Sequence, residues 1–379
     1  MFATTLAGLV LGIALPSAQP AAQPPADAEP VLHVPEETLL SDVRQLTTGK
    51  MFAAAGEAYF SPDGKWVIFQ ATPHGQEHYQ MYVARLGEDG PFEAPYRVSD
   101  EPSRNTCGYF SPDGSAILLA STAGKEVADE PKAGYQREGR DYRWSFPRGM
   151  ELWLWPSWEH AVRNPQAAHG DLRDAAPDMA RRPLTDNDAY DAEGAFSPDG
   201  RHIVFASDRT GDMEIYVGTL NADRTGFAKT VRITETPGYD GGPFFSPDGR
   251  RLVYRSDREG NDLLQVFVRD LEFDADGNIT GGGKETQVTD DGHVNWGPYW
   301  HPSGEWLIYA TSRHGHQNYE LYLIRPDGSG ATRVTFAEGF DGLPVFTSDG
   351  RHLMWTSKRG GDGSQLFIAR FRLPDESGR

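Results

Sequence analysis

Cysteine is almost missing from this chain of 379 residues: Cys107 stands alone, so no intramolecular disulfide can form. A single thiol remains compatible with an oxidising compartment. Common catalytic signatures are missing too. The chain has no Gly-x-Ser-x-Gly elbow, no His-Glu-x-x-His pair, no P-loop and no Cys/His cluster, which removes the chemistries those motifs carry. Positive charge is scarce. Against 55 Asp and Glu there are only 36 Lys and Arg, leaving a net charge of −19 and a pI near 5.0. Such a surface repels phosphate backbones and anionic headgroups, so neither nucleic acid nor a membrane surface is an expected partner. The apolar run Leu6 to Leu15 is too short to span a bilayer. With the small residues Ser17 and Ala18 after it, it reads as a secretory signal peptide over residues 1–18, followed by an Ala/Gln/Pro-rich tether over 19–42. The expected location is therefore periplasmic or otherwise exported.

What the chain does have is a repeat. Phe-Ser-Pro-Asp-Gly begins at Phe60, Phe110, Phe196 and Phe245, and eroded copies begin at Trp300 and Phe346. The six copies are spaced 50, 86, 49, 55 and 46 residues apart. A period near 50 residues suits one propeller blade of four short strands and their turns. Pro-Asp-Gly suits the hairpin between the first two strands, because Pro presets φ, Asp bonds its own backbone and Gly tolerates positive φ. The third strand carries an acid or amide, an aliphatic and an aromatic in every copy, from Gln80-Met81-Tyr82 to Gln365-Leu366-Phe367. These aromatics are assigned to packing between blades.

Strands ending in Thr or Ser stand before each signature, at Thr47, Ser99, Thr185, Thr234, Thr289 and Thr335, and none follows the last copy. The stretch Val43 to Thr47 is therefore expected to complete blade six and remove the open edge of the ring. The predicted fold is all-β: a six-bladed β-propeller over residues 43–373, closed by an N-terminal strand. Insertions are expected in blade two at about 123–149 and 156–182. A monomer is expected.

The Phe-Ser-Pro-Asp-Gly, Ser-Asp-Arg-x-Gly and Glu-Ile-Tyr segments together resemble the WD40-like repeat of the TolB propeller family, from about Arg44 to Arg372. That resemblance implies a periplasmic binding protein. TolB itself carries an α/β domain before its propeller, whereas only about 45 residues precede blade one here.

Five residues before each signature aromatic stand Ala55, Asn105, Asp191, Asp240, Asn295 and Asp341. They are expected to ring one mouth of the central channel, where they suit a cation, a cationic substrate group or ordered waters. Thirteen residues after the aromatic stand Arg209, Arg258, Arg313 and Arg359, with Pro73 and Ala123 in blades one and two. Topology puts this row on the same face, either binding a ligand or bracing the neighbouring carboxylates. The long blade-two loop, with Trp144 and Phe146, reads as a lid over that mouth. His74, His78, His314 and His316 read as exposed loop residues rather than metal ligands.

The function expected from these features is binding or scaffolding in the cell envelope, of a protein or small-molecule ligand at the channel-mouth face. The alternative is a hydrolase or lyase that uses Asp191, Asp240 or Asp341 with a divalent cation. No other cofactor is expected.

Overall fold

The signature turns are built as their composition requires. In a computed structural model, describing residues 32–88, 90–99, 103–125, 134–138, 141–163 and 181–374, the signature Ser hydroxyl donates to the Asp carboxylate two residues on. The distances at Ser61, Ser111, Ser197 and Ser246 are 2.7, 2.6, 2.6 and 2.5 Å. The same carboxylate accepts the amide two residues further, as Asp113 does from Ser115 at 3.0 Å. Each Gly sits at positive φ, between 69° and 71° in all six copies, where a side chain would strain the turn.

Between these turns the chain forms six antiparallel four-stranded sheets, one per signature. With β1 at Leu40–Gln45, blade one follows as β2 (Ala54–Phe60), β3 (Trp66–Thr72), β4 (Gln80–Arg85) and β5 (Tyr96–Arg97). Blade two is β6 (Asn105–Phe110), β7 (Ala116–Ser121), β10 (Glu151–Pro156) and β11 (Arg182–Pro183). The hairpin β8 (Gly134–Glu138) and β9 (Asp141–Ser145) lies between β7 and β10, and the short helix α1 (Trp158–Arg163) follows β10. Blade three is β12 (Asp191–Phe196), β13 (His202–Ser207), β14 (Glu214–Leu220) and β15 (Phe227–Arg232), and blade four is β16 (Asp240–Phe245), β17 (Arg251–Ser256), β18 (Gln265–Phe273) and β19 (Ile279–Gln287). Blade five is β20 (Asn295–Trp300), β21 (Leu307–Thr311), β22 (Glu320–Ile324) and β23 (Thr332–Arg333). Blade six is β24 (Asp341–Phe346), β25 (His352–Ser357) and β26 (Gln365–Phe371). The middle strands are buried on both faces, as in β7, β13 and β21, because each blade packs between two others.

Closure follows the expected route. β1 pairs antiparallel with β26, so the sheet order is β1-β26-β25-β24. One hydrogen bond repeats in all six blades. The hydroxyl of the terminal Ser or Thr accepts the third-strand amide, at 2.8 to 3.0 Å, from Met81 to Ser99, Leu152 to Thr185, Ile215 to Thr234, Val266 to Thr289, Leu321 to Thr335 and Leu366 to Thr47. Thr47 thus does for blade six what a local strand does elsewhere, from more than 300 residues away in sequence. The pairing segment starts at Leu40 rather than Val43, with a bulge between Ser41 and Arg44. Among the described residues no helix is long and apolar enough to cross a membrane. The segments proposed as signal peptide (1–18) and the first part of the tether lie outside the described residues.

The turns carry a pH signature. Burial pushes the Asp113 carboxyl up, but donation by Ser111 and Ser115 and the charge of Arg224 outweigh it and hold the group at about 2. Asp63, Asp199, Asp248 and Asp349 are held low by equivalent bonds. A carboxyl lowered in the fold contributes stability above its unfolded pKa and loses it as pH falls through the folded one. Urea melts should therefore lose stability progressively from pH 4 to about 2, and Asp113→Asn should flatten part of that decline.

Candidate functional site

The carboxylates at the start of the inner strands are buried and engaged. Asp191 is 0% exposed, and both of its oxygens accept from the Arg209 guanidinium at 2.8 and 2.9 Å. Arg258 reaches Asp240 at 3.3 Å and Arg359 reaches Asp341 at 2.7 Å. Each Arg also lies over an aromatic ring of its own blade: Arg209 over Tyr216 at 4.9 Å, Arg258 over Phe267 at 4.1 Å and Arg359 over Trp355 at 4.9 Å. In blade five Arg313 lies over Tyr322 but pairs with Asp291, and Asn295 donates to the same Asp291 at 2.8 Å. Blades one and two, with Pro73 and Ala123 in the Arg column, carry no acid in the ring column. Asn105 bonds Gln80 and Ser121 instead, at 3.2 and 2.7 Å. In blades three, four and six Arg and Asp thus appear together, each cation meeting the carboxylate of its own sheet, and in blade five Arg313 meets a loop carboxylate instead.

The surface facing the axis is made two residues later. Every inner strand breaks register at the same place, between Gly56 and Ala58, Thr106 and Tyr109, Ala192 and Ala195, Gly241 and Phe244, Trp296 and Tyr299, and Gly342 and Val345. The first extra residue of each bulge takes a left-handed conformation: Glu57, Cys107, Glu193, Gly242, Gly297 and Leu343, with φ from 42° to 59°. Having no opposite number on the middle strand, these residues line a cavity of about 1140 Å³. Glycine fills the position without strain in blades four and five. Glu, Cys and Glu accept the strain in blades one to three, and Leu343 accepts it in blade six.

Below the bulges the cavity is closed. The residues just before the signature aromatics include Tyr59, Tyr109, Phe244 and Tyr299, whose rings meet at 4.9 to 6.3 Å, and the Tyr109 and Tyr299 hydroxyls bond at 3.2 Å. This aromatic floor turns the central channel into a cup. The rim includes Tyr79 from the β3–β4 loop, Phe146 from the blade-two insertion and Ser364 from the β25–β26 loop, all on the face where the inner strands begin.

One wall of the cup holds a charged cluster. Arg255, on middle strand β17, donates to Glu193 at 2.6 Å and to the Tyr239 hydroxyl at 2.6 Å. Glu193 also accepts the Gly242 amide at 2.7 Å and the Tyr239 hydroxyl at 3.1 Å. Room for this comes from glycine: a Cβ at Gly242 would lie 1.9 Å from Arg255, and one at Gly241 would lie 2.1 Å from the Tyr239 oxygen. Burial disfavours the Arg255 charge, but Glu193 and Tyr239 outweigh it and raise its pKa. Across the cup, burial pushes the Glu57 carboxyl up, while contacts with Cys107 and Tyr59 pull it partly back. Burial, then the charges of Glu57 and Glu193, pushes the Cys107 thiol well up. It is therefore held as a neutral thiol, which is a poor nucleophile.

The blade-two insertion divides into two parts. Phe146 rests on Tyr190 and Tyr239, with ring centroids at 4.7 and 5.6 Å, which places the base of the 123–149 loop on the cup wall. The Trp144 side chain lies outside the described residues. In the 156–182 insertion, Trp158 packs against Trp66 and Phe110 at 5.3 and 5.2 Å and donates to the Gly114 carbonyl at 3.0 Å. It wedges blades one and two together at the signature-turn end, away from the cup. His78 lines the cup, whereas His314 bonds the Tyr322 hydroxyl at 2.8 Å. Among the described residues no group of three or more His, Cys, Asp or Glu is placed to hold a metal ion.

Residues 181–289 match the TolB beta propeller domain. The chain is a TolB-like six-bladed β-propeller. Along 84% of its length the TolB-like ring superposes on the structure of a putative TolB from Agrobacterium tumefaciens, covering 91% of that chain with a TM-score of 0.52 at 19% identity. That level of identity speaks for the fold alone. In sequence, the chain is 36% identical over 75 residues to a TolB homolog of Chlorobium luteolum, a match covering 20% of this chain and 16% of that protein. It is 30% identical over 90 residues to an uncharacterized protein of Agrobacterium fabrum, covering 24% of this chain and 30% of that one. The matches thus span less than a third of either relative.

Of the ring predicted from sequence, Ala55 and Asn105 line the cup of the TolB-like propeller, whereas Asp191, Asp240, Asn295 and Asp341 are buried in their blades. Counting from the signature missed Glu57, Glu193 and Arg255. A signal for them was present. In the column three before the aromatic, six copies read Glu, Cys, Glu, Gly, Gly and Leu; ten after it they read Gln, Ala, Ala, Arg, Ala and Thr. Positions that abandon an internal repeat are the ones the fold does not need.

Proposed function

We propose that this protein is an exported binding module whose ligand, a protein segment or a small molecule, enters the cup on the face where the inner strands begin. The observation that carries this reading is the cup itself, a blind cavity of about 1140 Å³ with an aromatic floor and a few placed polar groups, which is how ligand sites are usually built. The apolar run Leu6 to Leu15 supports export. The TolB-like propeller is a scaffold on which the site, not the fold, decides the function. The Asp ring and Arg row then serve as blade braces that hold the bulges in place, with Asn105 and the Trp144–Phe146 loop nearer to the ligand.

The alternative, a hydrolase or lyase using a cation at Asp191, Asp240 and Asp341, requires three carboxylates already bonded to arginine to turn towards a metal. The two readings separate in a thermal-shift screen of the intact protein against Ca²⁺, Mg²⁺, Zn²⁺ and panels of small organic molecules. Organic hits that Trp144→Ser with Phe146→Ser weakens at least tenfold, with the unfolding transition kept, are expected for the cup. Stabilisation by a divalent cation that disappears in Asp191→Asn with Asp240→Asn would favour the enzyme.

A further inference from the structure

Charge inside the cup is uneven. Glu193 is matched by Arg255 at 2.6 Å. Glu57 is not matched. Its partners among the described residues are the Tyr59 hydroxyl at 3.4 Å and the Cys107 thiol, with its amide bonded to Thr356. Among the described residues no basic side chain forms an ion pair with it, and the charge of Arg255, already paired with Glu193, only partly offsets its burial. The bulge nonetheless fixes Glu57 on the cup wall at φ 42°, a conformation that a glutamate adopts only at a cost. The fold offers the cheaper solution in blades four and five, where the same bulge carries glycine.

The surroundings of Glu57 are aromatic. Tyr59, Phe244 and Tyr299 form the floor, and Phe146, Trp296 and Phe340 face the same space. Tyr79 stands at the rim, 44% exposed, close enough to Glu57 for that charge to raise its own pKa after burial has done so. A carboxylate with no ion-paired cation among the described residues, set among π-faces that favour positive charge, is complementary to one class of ligand. Arg104, the other cation on the wall, makes no ion pair among the described residues and exerts no effect on Glu57 comparable to that of Arg255.

We propose that the cup binds a small organic cation, an ammonium group on an apolar or aromatic body, with Glu57 as its counter-ion and the floor and wall rings around its body. This rests on the cup being the ligand site and adds the chemical class of the ligand. An arriving ammonium replaces the missing partner of Glu57. It also draws the carboxyl, held up by burial among Cys107, Glu193, Tyr59 and Arg255, towards its ionised form, so that binding releases a proton.

The test is calorimetric titration of the intact protein with three probes of one shape: 2-phenylethylammonium, 2-phenylethanol and 3-phenylpropanoate. The expected result is preference for the ammonium by at least tenfold, loss of that preference in Glu57→Gln, and binding heats that change with the ionisation enthalpy of the buffer. Glu57→Gln keeps the side-chain shape, and a thermal melt checks its fold; buffer dependence in the unaltered protein is a second readout that needs no variant. Equal binding of ammonium and alcohol, or preference for the carboxylate, would overturn the cation assignment while leaving the cup as a ligand site. Binding of none of the three would count against both.

Discussion

Deletion of residues 1–47 will lower the melting temperature far more than deletion of residues 1–30, by on the order of 10 °C or more. The longer cut removes β1 and bares the edge of β26, so a row of amides and carbonyls loses its partners. It also removes Leu39, Leu40 and Leu46, all buried, each contributing about 1.5–3 kcal/mol. It takes away Thr47, whose hydroxyl holds the Leu366 amide, and Glu37, which bonds Arg359 and the Phe336 amide. The shorter cut touches none of these contacts. Since whole domains are stable by about 5–15 kcal/mol, the first loss is comparable to everything the fold has. Equal melting temperatures for the two truncations would show that β1 is an accessory strand and that the ring closes without it.

How much of this was legible in the sequence depends on what each residue's role requires. The blade count, the signature turns and the closing strand follow from local chemistry that repeats: Ser-Pro-Asp-Gly bonds itself, and the terminal Ser or Thr of each fourth strand has the same amide to hold in every blade. Thr47 could be recognised before β26 was seen, because one copy of that residue was missing at the end of the chain. Its strand boundary was not legible, since the bulge between Ser41 and Arg44 leaves no mark on the alternation.

The site was legible only in part. Asp191 and its equivalents were placed at the right end of the right strands, and Phe146 on the right face. Whether a carboxylate at a strand start looks inward to its blade or outward to the axis depends on one extra unpaired residue per strand. A bulge of that kind changes neither composition nor period. Its local trace was a glycine at or beside the break in every copy: Gly56, Gly108, Gly194, Gly242, Gly297 and Gly342. Trp158 gave no sign of its role in the sequence, because only packing shows it wedged between Trp66 and Phe110.

Replacement of Arg359 by Met will destabilise the protein by about 3–5 kcal/mol, and by more at pH 8 than at pH 5. Arg359, Glu37 and Asp341 form a triad with side chains 1%, 0% and 2% exposed in the ion pairs that join them. The guanidinium sits between two carboxylates, with the Trp355 indole donating to Asp341 at 3.0 Å and the Leu32 carbonyl accepting from Arg359 at 2.8 Å. Without Arg359 two buried acids face each other. Burial already raises the Asp341 carboxyl, and Arg359 is what pulls it partly back; in the variant it rises further. A carboxyl raised in the fold contributes its stability below the unfolded pKa and loses it as pH climbs through the folded one. The deficit should therefore shrink as pH falls towards the ordinary carboxylate range near 4, where the pair can hold a proton. Adding Glu37→Gln to Arg359→Met should recover part of the loss at pH 8 by removing one of the two charges. Asp191→Asn with Asp240→Asn should cost less, because the stranded Arg209 and Arg258 are 27% and 17% exposed and water can reach them. Urea melts of these variants across pH 5 to 8 decide the point. A deficit that is the same at both ends of that range, and untouched by Glu37→Gln, would mean that Arg359 acts through its packing over Trp355 rather than as the cation that fastens the N-terminal segment to blade six.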